Sequence, residues 1–175
     1  MINKNMLKLI KPSEKYKKSF LKSLKKRADM EEISVEKYDL VKSDFKKYVL
    51  EMKFRAQGKS LNKGYVPESV YWLVDGEEFF GRVSVRHKLS KHLKNIGGHI
   101  GYDINPYFRK RGYGKEILRL GLKKAKLLGL KKVLITCNET NIGSRKIIES
   151  NGGVFENRYM DDNLKTPKLR YWIKL

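Results

Sequence analysis

The segment YDINPYFRKRGYGK, residues 102–115, joins a strand pattern to a helix pattern through a basic loop that contains Gly112 and Gly114. The residues before it alternate as in a strand, and the apolar residues after it recur with the period of an amphipathic helix. The first N–H groups of a helix lack partners within the helix, and the helix dipole is positive at that end. The segment therefore predicts an anion-binding turn.

The charge distribution indicates what kind of anion this turn binds. The chain has 175 residues, 40 Lys and Arg against 19 Asp and Glu, and a formal net charge of +21. Ten basic residues and one acidic residue between Arg109 and Lys132 account for +9 of it. The loop ends in neither the Gly-Lys-Ser/Thr of a Walker A motif nor the third glycine of a dinucleotide fingerprint. A phosphate-bearing ligand of another class is expected.

Hydrophobic periodicity predicts a mixed α/β (α+β) fold in a single domain over residues 1–175. The predicted strands are Met6–Ile10, Ser69–Val74, Phe79–Val85, His99–Ile104, Val133–Cys137, Val154–Tyr159 and Lys168–Lys174. The first predicted helix begins at Pro12–Ser13. The other predicted helices cover Val35–Gln57, Leu89–Leu93, Tyr113–Leu128 and Asn141–Ser150. Asp75-Gly76 predicts a hairpin turn, and the order strand, helix, strand after residue 99 predicts one parallel crossover.

Composition excludes several classes of protein. The single cysteine, Cys137, excludes an intramolecular disulfide framework and a multi-cysteine metal site. No carboxylates stand at ligand spacing near His87 and His92, so no metal site is predicted. No apolar run approaches the ~18 residues of a membrane span, and the first residues lack the apolar core of a secretory signal. We expect a soluble cytoplasmic protein without a membrane partner.

Three motifs together resemble one known family. Arg109-x-x-Gly112-x-Gly114 is similar to the Arg/Gln-x-x-Gly-x-Gly/Ala signature of the GNAT superfamily of N-acetyltransferases. Asn141 and the residues after it resemble the second motif of the family, and GGHIGY, residues 97–102, resembles a subgroup of predicted bacterial acetyltransferases. The resemblance covers Met6 to Leu175. It implies a mostly antiparallel central sheet of about six to seven strands, flanking helices, and a splayed strand pair that holds acetyl-CoA.

The resemblance also implies which residues bind the cosubstrate acetyl-CoA. The loop backbone from Arg111 to Lys115 would hold the pyrophosphate, and the strand before the loop would pair with the pantetheine arm. Asn141 would bond the end of that arm, with its neighbours along the cofactor. The full implied set is Tyr102, Ile104, Arg109, Lys110, Arg111, Gly112, Tyr113, Gly114, Lys115, Asn141, Ser144 and Arg145.

The catalytic residues follow less directly from the sequence. His99 is a candidate general base because its reference pKa is near neutral, although a structural role fits it equally well. By resemblance, a backbone amide near Tyr102 would face the thioester oxygen. The tyrosine that often serves as the acid of the family is replaced here by Ile148. Tyr159 on the next strand is the candidate substitute, with packing as its alternative role.

The resulting hypothesis is an N-acetyltransferase that moves an acetyl group to an amine of a small molecule or peptide by direct attack on the thioester. The acceptor is unidentified, and a homodimer is left open. The segments Leu24–Ser34 and Lys59–Glu68 are expected to select the acceptor, as variable segments do in the family. Two alternatives stand beside this hypothesis: a degenerate acetyl-CoA-binding sensor or scaffold, and a basic nucleic-acid-associated module. Nucleic acid is the less expected partner, because the basic residues are spread over several helices.

Overall fold

The strands of the computed structural model form two antiparallel sheets within residues 6–59 and 61–175, the part of the chain that the structure describes. The first sheet contains β1 (Lys8–Ile10), β2 (Glu68–Asp75), β3 (Glu78–Arg86) and β4 (Ile100–Ile104), in that order. The second sheet contains β5 (Lys132–Asn138), β6 (Val154–Tyr159) and β7 (Lys168–Lys174), with β7 in the centre. The predicted hairpin is confirmed, since Asp75 pairs with Glu78.

The helices are α1 (Lys17–Asp29), α2 (Val35–Ser43), α3 (Phe45–Ala56), α4 (Lys91–Asn95), α5 (Tyr113–Leu127) and α6 (Ile142–Glu149). The prediction of one helix over Val35–Gln57 is wrong, because the chain breaks at Asp44. That residue has φ −136°, and its carboxylate accepts the N–H of Lys47 at 2.9 Å. Asp44 is therefore the N-cap of α3, and a residue in cap conformation cannot continue the helix before it.

The helices cover the first sheet on both faces. On one face, Phe20 of α1 and Phe45 of α3 pack on Trp72 of β2. Leu73, the next residue of β2, belongs to the second core, which also contains Ile117 of α5. Neighbouring residues of a strand face opposite sides of the sheet, so β2 supplies both cores. The second core continues into β5, β7 and α6 and joins the two sheets.

The predicted mixed α/β fold with mostly antiparallel strands is confirmed, but the strands form two sheets and the predicted parallel crossover within one sheet is not formed among the described residues. α5 connects β4 to β5, but these two strands belong to different sheets. They meet beside His99 and have no ladder between them in the described residues. This separation confirms the splayed strand pair that the resemblance implied. Within residues 6–59 and 61–175, none of the helices combines the length and the apolar character that crossing a membrane requires.

The aromatic core under α1 yields a stability prediction. Phe20 is 3% exposed, and its ring stacks on Trp72 with centroids 4.5 Å apart. Phe20→Ala should lower the free energy of unfolding by about 3–5 kcal/mol, because it leaves a cavity in this core. Leu40→Ala, at a position 73% exposed, should change it by less than about 0.5 kcal/mol. Urea unfolding followed by circular dichroism measures both, and equal losses would contradict the placement of α1.

Candidate functional site

A pair of hydrogen bonds fixes the point where β4 and β5 separate. The N–H of His99 donates to the carbonyl of Leu134 at 2.7 Å. The N–H of Leu134 in turn donates to Nδ1 of the His99 ring at 2.9 Å. Gly98 lies so close to the Leu134 carbonyl that a Cβ could not fit there. Beyond this hinge, defined here as His99 and Leu134, the two strands part and leave a cleft between them.

The register of β4 shows which of its backbone groups face the cleft. Arg86 N–H donates to the carbonyl of His99 at 2.8 Å, and Asn105 N–H donates to that of Phe80 at 2.9 Å. The odd-numbered residues of β4 therefore bond β3, and bonding alternates along an antiparallel strand. The even-numbered residues direct their backbone groups to the opposite edge, toward β5. These are Ile100, Tyr102 and Ile104.

The same alternation applies to β5. Glu139 N–H donates to the carbonyl of Pro167 at 2.9 Å, which places the odd-numbered residues of this strand against β7. Thr136 and Asn138 consequently direct their backbone groups toward β4. Backbone donors and acceptors thus face each other across the cleft. An extended ligand with amide groups can pair with such edges as an added strand does.

A cavity of about 330 Å³ occupies the cleft and brings together residues of β3, β4, β5, α6 and β7. Of the predicted cofactor residues, Tyr102 of β4, Asn141 before α6 and Ser144 of α6 line it. Arg86, Thr136, Asn138 and Lys168 also line it and were missed by the sequence analysis. The alternation along β5 was the available signal for Thr136 and Asn138. No sequence pattern pointed to Arg86 or Lys168.

Tyr102 is held against α6. Its hydroxyl lies 2.9 Å from Oγ of Ser144, and the N–H of Ser144 donates to Oδ1 of Asn141 at 2.9 Å. Burial raises the pKa of Tyr102 to about 12. The phenol therefore stays protonated at neutral pH, which suits a hydrogen-bond donor.

The loop after β4 leaves the N-terminus of α5 without a side-chain cap. The N-cap residue is Gly112, whose φ of +84° is a conformation that glycine adopts without strain. By contrast, α2, α3, α4 and α6 are capped by Ser34, Asp44, Ser90 and Asn141. The first N–H groups of α5 thus have no cap, and the exposed Arg111 and Lys115 add positive charge beside them. This arrangement fits a phosphate group.

Arg109, predicted as a cofactor residue, connects the loop to the segment after α1. Its Nη2 donates to Oε2 of Glu32 at 2.6 Å, and its Nε donates to the carbonyl of Ile104 at 3.1 Å. The hydrogen bond from Arg109 lowers the pKa of Glu32. Arg109 therefore holds the basic loop against the chain that follows α1, which belongs to the predicted acceptor-selecting segment Leu24–Ser34.

Gly114 serves the packing of α5 against α6. A Cβ on Gly114 would lie 2.5 Å from Cδ1 of Ile147 on α6. The sequence analysis assigned this glycine to cofactor binding, and the structure shows a packing reason for the small residue. Arg145, another predicted cofactor residue, lies on the exposed side of α6 and pairs with Glu149 at 2.9 Å.

The predicted catalytic residues lie in different places. The bond from Leu134 uses the Nδ1 lone pair of His99, and burial lowers the pKa of its ring. Tyr159, at the end of β6, donates to Oδ2 of Asp161 at 3.0 Å and is not among the residues that line the cleft cavity. The base role of His99 and the acid role of Tyr159 stay predictions. Ile148 is fully buried in the core.

The single cysteine lies in the cleft. Cys137 lines the cavity, and burial raises the pKa of its thiol. At neutral pH it is a protonated, weakly reactive side chain. Among the residues that the structure describes, no group of three His, Cys, Asp or Glu side chains is placed to hold a metal ion.

A strand pair that parts beside a basic helix start fits an extended, phosphate-bearing ligand. The sequence matches the family model described as "Acetyltransferase (GNAT) domain" over residues 12–154. Since this match covers most of the chain, the protein belongs to the GNAT family of acetyltransferases. No curated protein matches the sequence.

Several solved structures share the fold. The microcin C7 self-immunity acetyltransferase MccE, in complex with acetyl-CoA and AMP, is 15% identical with a TM-score of 0.70, over 98% of this chain and 93% of that one. RimL, a ribosomal L7/L12 alpha-N-protein acetyltransferase bound to coenzyme A through a disulfide, is 17% identical with a TM-score of 0.71, over 97% and 94%. An acetyltransferase from Salmonella typhimurium that modifies the N-terminal serine of L7/L12 is 15% identical with a TM-score of 0.67, over 97% and 95%.

The contact between Gly114 and Ile147 can be tested by a double-mutant cycle. Gly114→Ala should destabilise the protein by about 1–3 kcal/mol through overpacking, although alanine is otherwise the better helix former. Ile147→Val removes the Cδ1 atom that the new methyl group would meet. The double variant should therefore recover part of the loss. Thermal unfolding of the four proteins measures the coupling, and additive effects would contradict this contact.

Proposed function

We propose that this protein transfers the acetyl group of acetyl-CoA to an amine by direct attack on the thioester. The observation that carries the proposal is the continuous path from the cleft to the start of α5. The pantetheine arm has amide groups that suit the facing backbone edges of β4 and β5. The pyrophosphate suits the uncapped N–H groups behind Gly112 and the charges of Arg111 and Lys115.

The family assignment supports acetyl-CoA as the cosubstrate. Two structures with the same fold contain the relevant ligand: MccE is bound to acetyl-CoA and AMP, and RimL is bound to coenzyme A. Asn141, Ser144 and Tyr102 line the cleft along this path. They are the residues that we expect to meet the pantetheine arm and the thioester.

Amine acetylation requires the neutral form of the acceptor. A lysine-like amine has a pKa of about 10.4, so its neutral form costs about 4–5 kcal/mol at pH 7. Arg86 and Lys168 line the cleft, and nearby positive charge lowers the pKa of an amine. When the nitrogen attacks, the carbonyl oxygen becomes an oxyanion that a backbone N–H of β4 can stabilise. The C–S bond then breaks, coenzyme A leaves as a thiol with the proton that the attacking nitrogen gives up, and no acyl-enzyme forms.

Ligand-induced stabilisation tests the cosubstrate. Acetyl-CoA at about 100 times its dissociation constant should stabilise the protein by about 2.7 kcal/mol, which appears as a rise in Tm. ATP carries comparable negative charge without a pantetheine arm and is the matched control for a protein with net charge +21. The acetyl-CoA shift should persist in 0.5 M NaCl, and any ATP shift should disappear there. An equal rise with ATP, or no rise with acetyl-CoA, would refute the proposal.

Two variants of Asn141 distinguish its role as the N-cap of α6 from its expected contact with acetyl-CoA. Asn141→Asp keeps the oxygen that caps α6 but loses the amide donor of a side chain that lines the cleft. We expect Tm to change little and acetyl-CoA to bind several-fold more weakly, since the added carboxylate also repels the cofactor. Asn141→Ala should lose about 1 kcal/mol of stability as well. Unchanged acetyl-CoA affinity in both variants, measured by calorimetry, would remove Asn141 from the site.

A further inference from the structure

A second cavity lies next to the cleft. It has a volume of about 370 Å³ and lies between the segment at residues 64–66 and α4. Tyr65, Glu68, Arg86 and His92 are among the residues that line it. Arg86 also lines the cleft cavity, so the two spaces adjoin at this side chain. A molecule in the second cavity would therefore lie beside the place where the thioester is expected.

Glu68 is a carboxylate whose two arginine partners lie at the outer limit of an ion pair. Its side chain is only 18% exposed, yet Nη1 of Arg55 and Nε of Arg86 each lie 3.9 Å from its oxygens. These distances are too long for hydrogen bonds, and within residues 6–59 and 61–175 no hydrogen bond to this carboxylate is found. Partly buried charges are normally hydrogen-bonded. The Glu68 oxygens are consequently ready to accept a donor from a ligand.

Arg86 is held away from a closer contact with Glu68. Its Nη1 donates to the carbonyls of Gly97 at 3.1 Å and Gly98 at 3.0 Å, next to the hinge. The guanidinium is thus anchored on the wall between the two cavities. Among the residues that line these cavities, Glu68 is the single acid. A cationic group that enters the second cavity has this one carboxylate to pair with.

We propose that the second cavity captures the acceptor as a primary ammonium group, with the carboxylate of Glu68 as its ion-pair partner; the amine then leaves this ion pair and loses its proton before it attacks the thioester. The inference rests on the proposed function and adds the class of acceptor. A space of 370 Å³ holds an amino-acid-sized amine or the first residues of a peptide, rather than a folded surface. The aromatic ring of Tyr65 and the side chain of Leu93 give such a ligand an apolar wall. Glu68 lies at the end of the predicted acceptor-selecting segment Lys59–Glu68.

The test uses two probes of nearly identical shape. L-alaninamide carries an ammonium group where L-lactamide carries a hydroxyl. Their binding to the full chain, with and without coenzyme A, is measured by NMR titration at pH 6.5, where alaninamide is protonated. Wild-type protein should bind alaninamide at least about tenfold more tightly than lactamide, because only alaninamide can form a charged hydrogen bond with the Glu68 carboxylate. Glu68→Gln should lose this preference and bind lactamide as before.

Matched variants keep the result interpretable. Glu77→Gln removes the same charge at the exposed hairpin turn and should retain the preference. Glu68→Asp keeps the charge on a shorter side chain and should fall between the two. If Glu68→Gln fails to fold, the relative affinity of the wild-type protein for alaninamide and lactamide still tests the inference. No preference for alaninamide, no binding of either probe at 50 mM, or an unchanged preference in Glu68→Gln would overturn the inference.

The two proposals fail separately. Acetyl-CoA binding without a preference for alaninamide would overturn the acceptor site and leave the cosubstrate untouched. A preference for alaninamide that depends on Glu68, in a protein whose Tm does not respond to acetyl-CoA, would overturn the proposed function alone.

Discussion

The hinge between His99 and Leu134 is the interaction on which the site depends. Two hydrogen bonds pin β4 to β5 at this point, and the ring that accepts one of them is 8% exposed. If β4 and β5 continued to pair beyond this point, no cleft would remain between them. The sheets separate immediately afterwards, and the backbone groups that would have bonded each other are left for a ligand. A histidine accepts the Leu134 amide with its side chain, so this pairing ends without leaving that buried donor unsatisfied.

The two walls of the cleft differ in how much of their surface is covered by other elements. Its β4 wall belongs to a sheet covered on both faces, whereas α6 contributes the Asn141 and Ser144 wall from a short helix with an exposed outer side. Arg86 links the β3 end of the first sheet to the turn before the hinge through its bonds to Gly97 and Gly98. One side chain therefore lines the cleft and the neighbouring cavity and also bonds the turn before the hinge. Burial lowers its pKa, but the arginine remains charged at any physiological pH.

The sequence predicted what depends on local chemistry. The turn at Gly112, the hairpin at Asp75-Gly76 and the helix at Asn141 are encoded by residues close to one another, and the structure contains all three. The break at Asp44 was also encoded locally, but the apolar period on both sides concealed a capping residue. The positions of Arg86 and Glu68 beside the two cavities could not be predicted, because they arise from the register of β2, β3 and β4. Register is set by contacts between distant parts of the chain.

The order of the strands shapes how the chain can assemble. All ladders of the first sheet form among residues 8–104, and all ladders of the second form among residues 132–174. During synthesis, the strands of the first sheet and the helices α1 to α3 are all made before any strand of the second sheet. The first half can therefore organise without waiting for a distant partner strand, which shortens the exposure of unpaired edges. The edge of β4 that faces the cleft stays without a partner strand in the described part of the folded protein.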